Sequence, residues 1–141
     1  MTFFDTSGGW EVTRIEINEL TQKIIGYAFS VYNKMGFGFL ESVYEKCLQI
    51  EFGKQNIRAE FRKPIQVHYE GINVGDFIAD IVVEGKVIVE LKSVSQLHKI
   101  HELQLVNYLT ATGIDNGLLI NFAEQKVEVK RKSKTYVNTD K

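Results

Sequence analysis

The chain has one cysteine, one proline and no excess of either charge. A lone Cys47 forms no internal disulfide, which removes the stapled secreted scaffolds and favours a reducing, cytoplasmic setting. A single proline, Pro64, excludes collagen-like and proline-rich linker chains. Long hydrophobic runs are missing as well: the longest stretch without Asp, Glu, Lys or Arg runs from Leu103 to Ile114, well short of the ~20 apolar residues of a membrane helix. Met1 to Trp10 hold no basic start and no apolar run, so no secretory signal is expected. Seventeen Lys and Arg against eighteen Asp and Glu leave a net charge of −1, which excludes coating of nucleic acid by global charge and makes any such contact local. What is present is 44% hydrophobic and 25% charged residues over 141 positions, enough apolar surface for one core in one domain.

Asn18 is read as a helix cap, followed by Leu20, Ile24, Tyr27, Ala28, Val31 and Met35 at one-face helical spacing, up to Gly36. This predicts a first helix over about 19–35, after a flexible leader at 1–17 that contains Trp10. A second helix is predicted from near Phe39, with Val43, Cys47, Leu48 and Ile50, fading at Gly53 and Asn56. From Ile57 to Ser93 the period changes to two and β-branched residues dominate, which predicts a meander of three to four strands. Ser95 is read as the cap of a third helix ended by Gly113, and Gly117–Phe122 and Lys126–Lys130 as two last strands. The expected fold is an α/β (α+β) sandwich in which helices flank a mixed sheet, in the order α-α-β-β-β-α-β-β, over residues 18–132, with a frayed tail at 133–141.

The informative segment is Phe77-Ile-Ala-Asp80-Ile-Val-Val83 followed by Val87-Ile-Val-Glu90-Leu-Lys92. Alternate side chains of a strand share a face, so Glu90 and Lys92 point the same way as Ile88. A two-residue Glu84-Gly85 turn would force Glu84 to positive φ, whereas a three-residue loop with Gly85 left-handed is a common hairpin connection. An odd loop pairs even-numbered residues with even-numbered ones, which puts Asp80 on the face of Glu90 and Lys92. That face carries Val82 and Ile88 near the hairpin and turns ionic only at its far end. Two carboxylates held close repel each other, and a divalent cation relieves that repulsion. Hard oxygen donors suit Mg²⁺, and an adjacent lysine can orient water or stabilise developing negative charge. The chemistry indicated is phosphodiester hydrolysis.

Asp80 with Glu90-Leu91-Lys92 resembles the Asp…Glu-x-Lys signature of the PD-(D/E)XK nuclease superfamily, with its restriction-endonuclease-like core of helix, three-stranded meander, helix and strand. Within that superfamily, Gly38-Phe-Leu-Glu41-Ser-Val-Tyr44 resembles the motif of the GxxExxY proteins, and the likeness runs from about Leu20 to Lys132. The resemblance implies that Asp80 and Glu90 bind Mg²⁺ or Mn²⁺, that the Leu91 carbonyl is a further ligand, and that Lys92 is catalytic. It assigns Glu41 to the metal or its water shell. Gln104 and Tyr108 fit a Q-x-x-x-Y pattern that braces the site or contacts the DNA backbone, and their spacing puts both on one helix face. The implied partner is nucleic acid, DNA first, with a second copy of the chain as a partner by fold analogy. One departure is Ile78, where many members have a basic residue; substrate capture is then left to Lys54, Arg58, Arg62, Lys63 and the Lys126–Lys134 tail, which reads equally as a solvated strand.

Other residues are given lesser roles. His98, His101 and Glu102 lie at helical spacing, but their order is not that of a zinc protease helix, and a polar helix surface accounts for them better. His101, one turn before Gln104, is placed as a supporting residue at the edge of the pocket. Tyr44, one turn after Glu41, either bonds into the site or packs. Cys47 is a small core residue. The rival to a hydrolase is a catalytically inactive module of the same fold that binds nucleic acid or protein; a metalloprotein using His98 and His101 ranks third.

Overall fold

A computed structural model describes residues 10–134, with side chains from residue 16 onward. Helix α1 (Trp10–Met35) is followed by α2 (Glu41–Lys54), β1 (Ala59–Tyr69), β2 (Ile72–Val83), β3 (Val87–Lys92), α3 (Lys99–Thr112), β4 (Asn116–Phe122) and β5 (Val127–Ser133). The five strands form one sheet in sequence order. Only β3 and β4 run parallel, as the α3 crossover between them requires; the other neighbours are antiparallel. The described residues thus reproduce the predicted order α-α-β-β-β-α-β-β.

Each face of the sheet has its own core. Ile24, Ala28 and Val31 of α1 and Tyr44, Leu48 and Phe52 of α2 pack on Ile81, Val83, Val87, Val89, Leu91, Leu118, Ile120 and Phe122. On the other face, Leu105 and Leu109 of α3 cover Ile65, Ala79, Val82, Ile88 and Leu119. Gly117 of β4 makes that approach possible, because a Cβ there would lie 3.0 Å from the Cδ1 atoms of both Leu105 and Leu109. Burial on both faces explains the unbroken apolar runs of β3 and β4.

Several boundaries differ from the sequence expectation. Helix α1 starts at Trp10, upstream of the Asn18 cap, since residues 10–17 contain no glycine or proline to stop it; Asn18 sits inside the helix, its carbonyl accepting a bond from Thr21 Oγ1 at 3.0 Å. The part of the leader at 1–9 and the tail at 135–141 lie outside the described residues. In α2 the buried side is Tyr44, Leu48 and Phe52, whereas Ile50 is exposed. Helix α3 is capped at His98 and not at Ser95: the His98 N–H donates to His101 Nδ1 at 3.2 Å. Gly113 ends α3 in the left-handed conformation, as predicted. The β2–β3 loop has three residues with Gly85 left-handed, but Glu84 is left-handed too, at φ 54°. Glu84 is held there by its N–H donating to the Arg58 carbonyl and its carboxylate accepting from the Arg58 N–H, both at 2.8 Å.

Besides a bulge at Val67/His68 near the far end of β1, strict alternation breaks at the position that matters. Ile81 and Val83 face the α1–α2 core, yet Ala79 belongs to the α3 core with Val82. In β1, Phe61 packs with the first core and Ile65 with the second. The strands exchange faces between Phe61↔Ile81 and Lys63↔Ala79, where Arg62 and Asp80 form no regular ladder pair. Arg62 adopts φ 56° there, a left-handed conformation that costs a residue with a Cβ about 1–2 kcal/mol.

Candidate active site

The hairpin of β2 and β3 is paired only from Val83↔Val87 to Ile81↔Val89. Beyond that point β2 stays with β1 and β3 with β4, so the sheet forks. A fork orphans backbone N–H groups, and here two carboxylates satisfy them. The Leu91 N–H donates to Asp80 Oδ2 at 2.8 Å, and the Asp80 N–H donates to Glu90 Oε1 at 3.2 Å.

A cleft of about 460 Å³ opens at the fork, lined among others by Glu41 and Glu45 of α2, Arg62 of β1, Asp80 of β2 and Glu90, Leu91 and Lys92 of β3. Gln104 and Tyr108 of α3 close its other side, with Gln104 Nε2 donating to the Tyr108 hydroxyl at 2.6 Å. Tyr108 is held by stacking on Phe77, the ring centroids 3.7 Å apart. Seven of the residues that the resemblance assigns to the site therefore meet in one place: Glu41, Asp80, Glu90, Leu91, Lys92, Gln104 and Tyr108.

Burial, and then the negative charge of Asp80, push the Glu90 carboxyl up to about 9. That shift favours the neutral carboxyl, and a cation bound beside it would oppose the shift. Burial and Asp80 also raise Glu45, against the lowering effect of Arg62. Burial and the nearby Glu90 raise the Tyr108 phenol. The site is a compact acidic cleft in which Lys92 and Arg62 are the cations. The carboxylates that line it, Glu41, Glu45, Asp80 and Glu90, are hard oxygen groups of the kind that suit a Mg²⁺-type ion, which keeps several waters. No group of three or more His, Cys, Asp or Glu side chains is arranged to hold a metal among the described residues.

Tyr44 and His101 are placed differently. Tyr44 is fully buried, stacks on Phe122 at 4.1 Å and donates its hydroxyl to the Gly36 carbonyl at 2.6 Å. It clasps the loop that enters α2, where Gly38 takes φ 108° and Glu41 opens the helix into the cleft. His101 caps α3 outside the cleft lining; burial, and then Lys92 and His98, lower its pKa. Glu102 pairs with Lys132 at 2.6 Å, which leaves His98, His101 and Glu102 without a shared metal geometry. Cys47 is half-buried against the α1–α2 core.

Of the basic residues named for substrate capture, Lys54 pairs with Glu51 at 2.7 Å and Lys63 with Glu60 at 2.8 Å, while Arg62 lines the cleft. Ile78 also lines it, half-exposed. Glu45 and the place of Arg62 were not evident from sequence. Glu45 follows Glu41 by one helical turn, a spacing that would have found it; the face exchange at Arg62 left no periodic signal.

Three comparisons bear on this geometry. A family model described as the PD-(D/E)XK nuclease superfamily matches residues 18–132. Among solved structures, the crystal structure of SSO0001 is similar at a TM-score of 0.54 and 17% identity, over 69% of this chain and 52% of that one. The chain thus spans about half the length of that structure, and the likeness concerns the fold. No curated protein gives a significant match. No helix among the described residues is long and apolar enough to cross a membrane.

Proposed function

This chain belongs to the PD-(D/E)XK nuclease superfamily, and from that premise we propose that it hydrolyses phosphodiester bonds of nucleic acid, DNA first, with the help of Mg²⁺ or Mn²⁺. Asp80, Glu90 and the Leu91 carbonyl would hold the ion. When bound, such an ion polarises a phosphoryl oxygen and makes water a stronger nucleophile. We read Gly38, Glu41 and Tyr44 as the GxxExxY motif, in which the glycine makes the turn, the glutamate supplies the cleft carboxylate and the tyrosine is the clasp.

The protein's own groups do the rest. The Lys92 ammonium orients the attacking water and stabilises negative charge that develops on the phosphoryl oxygens. Glu41 and Glu45 accept hydrogen bonds from water on the α2 side, where the incoming nucleophile needs its protons drawn off. Gln104 and Tyr108 fix the wall on the α3 side. The water oxygen bonds to phosphorus as its proton passes to a carboxylate on the α2 side, the bond to the leaving sugar oxygen breaks, and that oxygen takes up a proton from solvent water.

The observation that carries this function is the meeting of Asp80 and Glu90 across the fork, each accepting a backbone hydrogen bond there, in a cleft that Lys92 also lines. The test is metal-dependent cleavage of single-stranded, duplex and branched DNA and RNA, with Lys92→Ala as control. Cleavage that needs Mg²⁺ or Mn²⁺ and is lost in Lys92→Ala supports it. Absence of cleavage on every substrate favours a binding module of the same fold, the alternative suggested by a net charge of −1.

A further inference from the structure

We propose that Arg62 binds a non-bridging oxygen of the substrate phosphate and so supplies the anion-binding cation of this cleft, an inference that rests on the hydrolytic function proposed above. The backbone explains why a left-handed residue is needed where β1 exchanges faces, but not why that residue is arginine. Glycine reaches φ 56° without a Cβ penalty, and asparagine does so more readily than most residues. Arginine is a costly choice, and the Asp80 pair does not account for it. Arg62 Nη1 lies 3.9 Å from Asp80 Oδ1, beyond hydrogen-bond reach, and its side chain is 62% exposed, where an ion pair contributes little. The guanidinium makes no hydrogen bond to another described residue, so its planar fork of donors is open to a ligand in the cleft it lines.

Charge points the same way. Glu41, Glu45, Asp80 and Glu90 face two cations, Lys92 and Arg62, across the cleft. With Lys92 committed to the water, Arg62 is the group left to attract a phosphate. Ile78, from the other strand of the hairpin, offers only an apolar contact. Lys54 and Lys63 are tied to Glu51 and Glu60.

The experiment measures anisotropy of a labelled ~20-nucleotide single strand and its duplex with the full chain, in Ca²⁺ to suppress turnover, over about 50 to about 200 mM salt. Arg62→Gly relieves the backbone and removes the fork. We expect binding about tenfold weaker and a salt dependence shallower by about one charge, with an unchanged or higher Tm and retained Mn²⁺ affinity. Arg62→Gln, which keeps length and polarity without charge, should show the same loss should the glycine variant fold poorly. Wild-type affinity and salt slope in both variants would overturn the assignment while leaving hydrolysis in place. No binding by the wild-type chain to either strand form would overturn both.

Discussion

Asp80 and Glu90 each accept a backbone hydrogen bond across the fork from the other's strand: Glu90 Oε1 from the Asp80 N–H at 3.2 Å, and Asp80 Oδ2 from the Leu91 N–H at 2.8 Å. The two carboxyls replace the ladder bonds that a continuing hairpin would have made. That exchange holds both acids at one end of a cleft without a dedicated loop, and it sets up the charge conflict from which the site's chemistry follows.

Metal binding should depend on both acids and release a proton. Calorimetric titration of Mn²⁺ into the wild-type chain near neutral pH should show a heat that varies with buffer ionisation enthalpy, since Glu90 gives up its proton as the ion enters. Asp80→Ala and Glu90→Gln should each bind at least about tenfold more weakly. Equal affinity in the wild type and Asp80→Ala would reject the ligand set.

Metal-free stability should fall as pH rises. The Glu90 carboxyl titrates near 4.5 when unfolded and near 9 when folded. Between those values the native state holds a proton that the unfolded chain has released, so this group's contribution is fully present below about 4.5 and declines towards 9, by up to about 1.4 kcal/mol per pH unit. Tm measured in chelator from pH 5 upward should drop in the wild type and stay flatter in Glu90→Gln. Parallel curves for the two would show that Glu90 does not hold the proton.

Lys92 should matter for turnover and not for folding. It lines the cleft half-buried and forms no ion pair with a described residue, so its removal strands no buried partner. Lys92→Met should lower the cleavage rate by about 10²-fold or more, while Tm and Mn²⁺ affinity hold or rise through loss of a nearby positive charge. A variant that loses metal binding together with activity would reassign Lys92 to site assembly.

Tyr44 should behave as a structural clasp. Tyr44→Phe keeps the stack on Phe122 but leaves the Gly36 carbonyl without its donor, a loss of about 1–2 kcal/mol read in denaturant midpoints. Mn²⁺ affinity should be unchanged. Greatly weakened metal binding at preserved stability would place Tyr44 in the site after all.

Much of the fold was legible because its signals are local. The apolar spacing from Leu20 to Val31, the runs of β3 and β4, and Gly113 as a stop each follow from burial or from one residue's allowed φ. An odd loop at Glu84 to Lys86 predicted that Asp80 shares a face with Glu90, and both line one cleft. The misses arose where a side chain found a partner that local rules do not see. His101, not Ser95, settles the start of α3; Arg58 holds Glu84 in a conformation glutamate avoids. Tyr44, adjacent in sequence to the cleft residue Glu45, turns inward to the Gly36 carbonyl.

By itself, the sequence determined the order of elements, the two apolar faces of the central strands and the pairing parity that puts an aspartate on the face of a glutamate, because these depend on periods of two and 3.6 residues and on the stereochemistry of single turns. Only the tertiary structure decided that β2 and β3 part just beyond Ile81↔Val89 and that β1 and β2 change faces at Arg62 and Asp80. Those outcomes were fixed by competition between two separate cores for the same strands, and no local pattern along the chain encodes which core wins at a given residue.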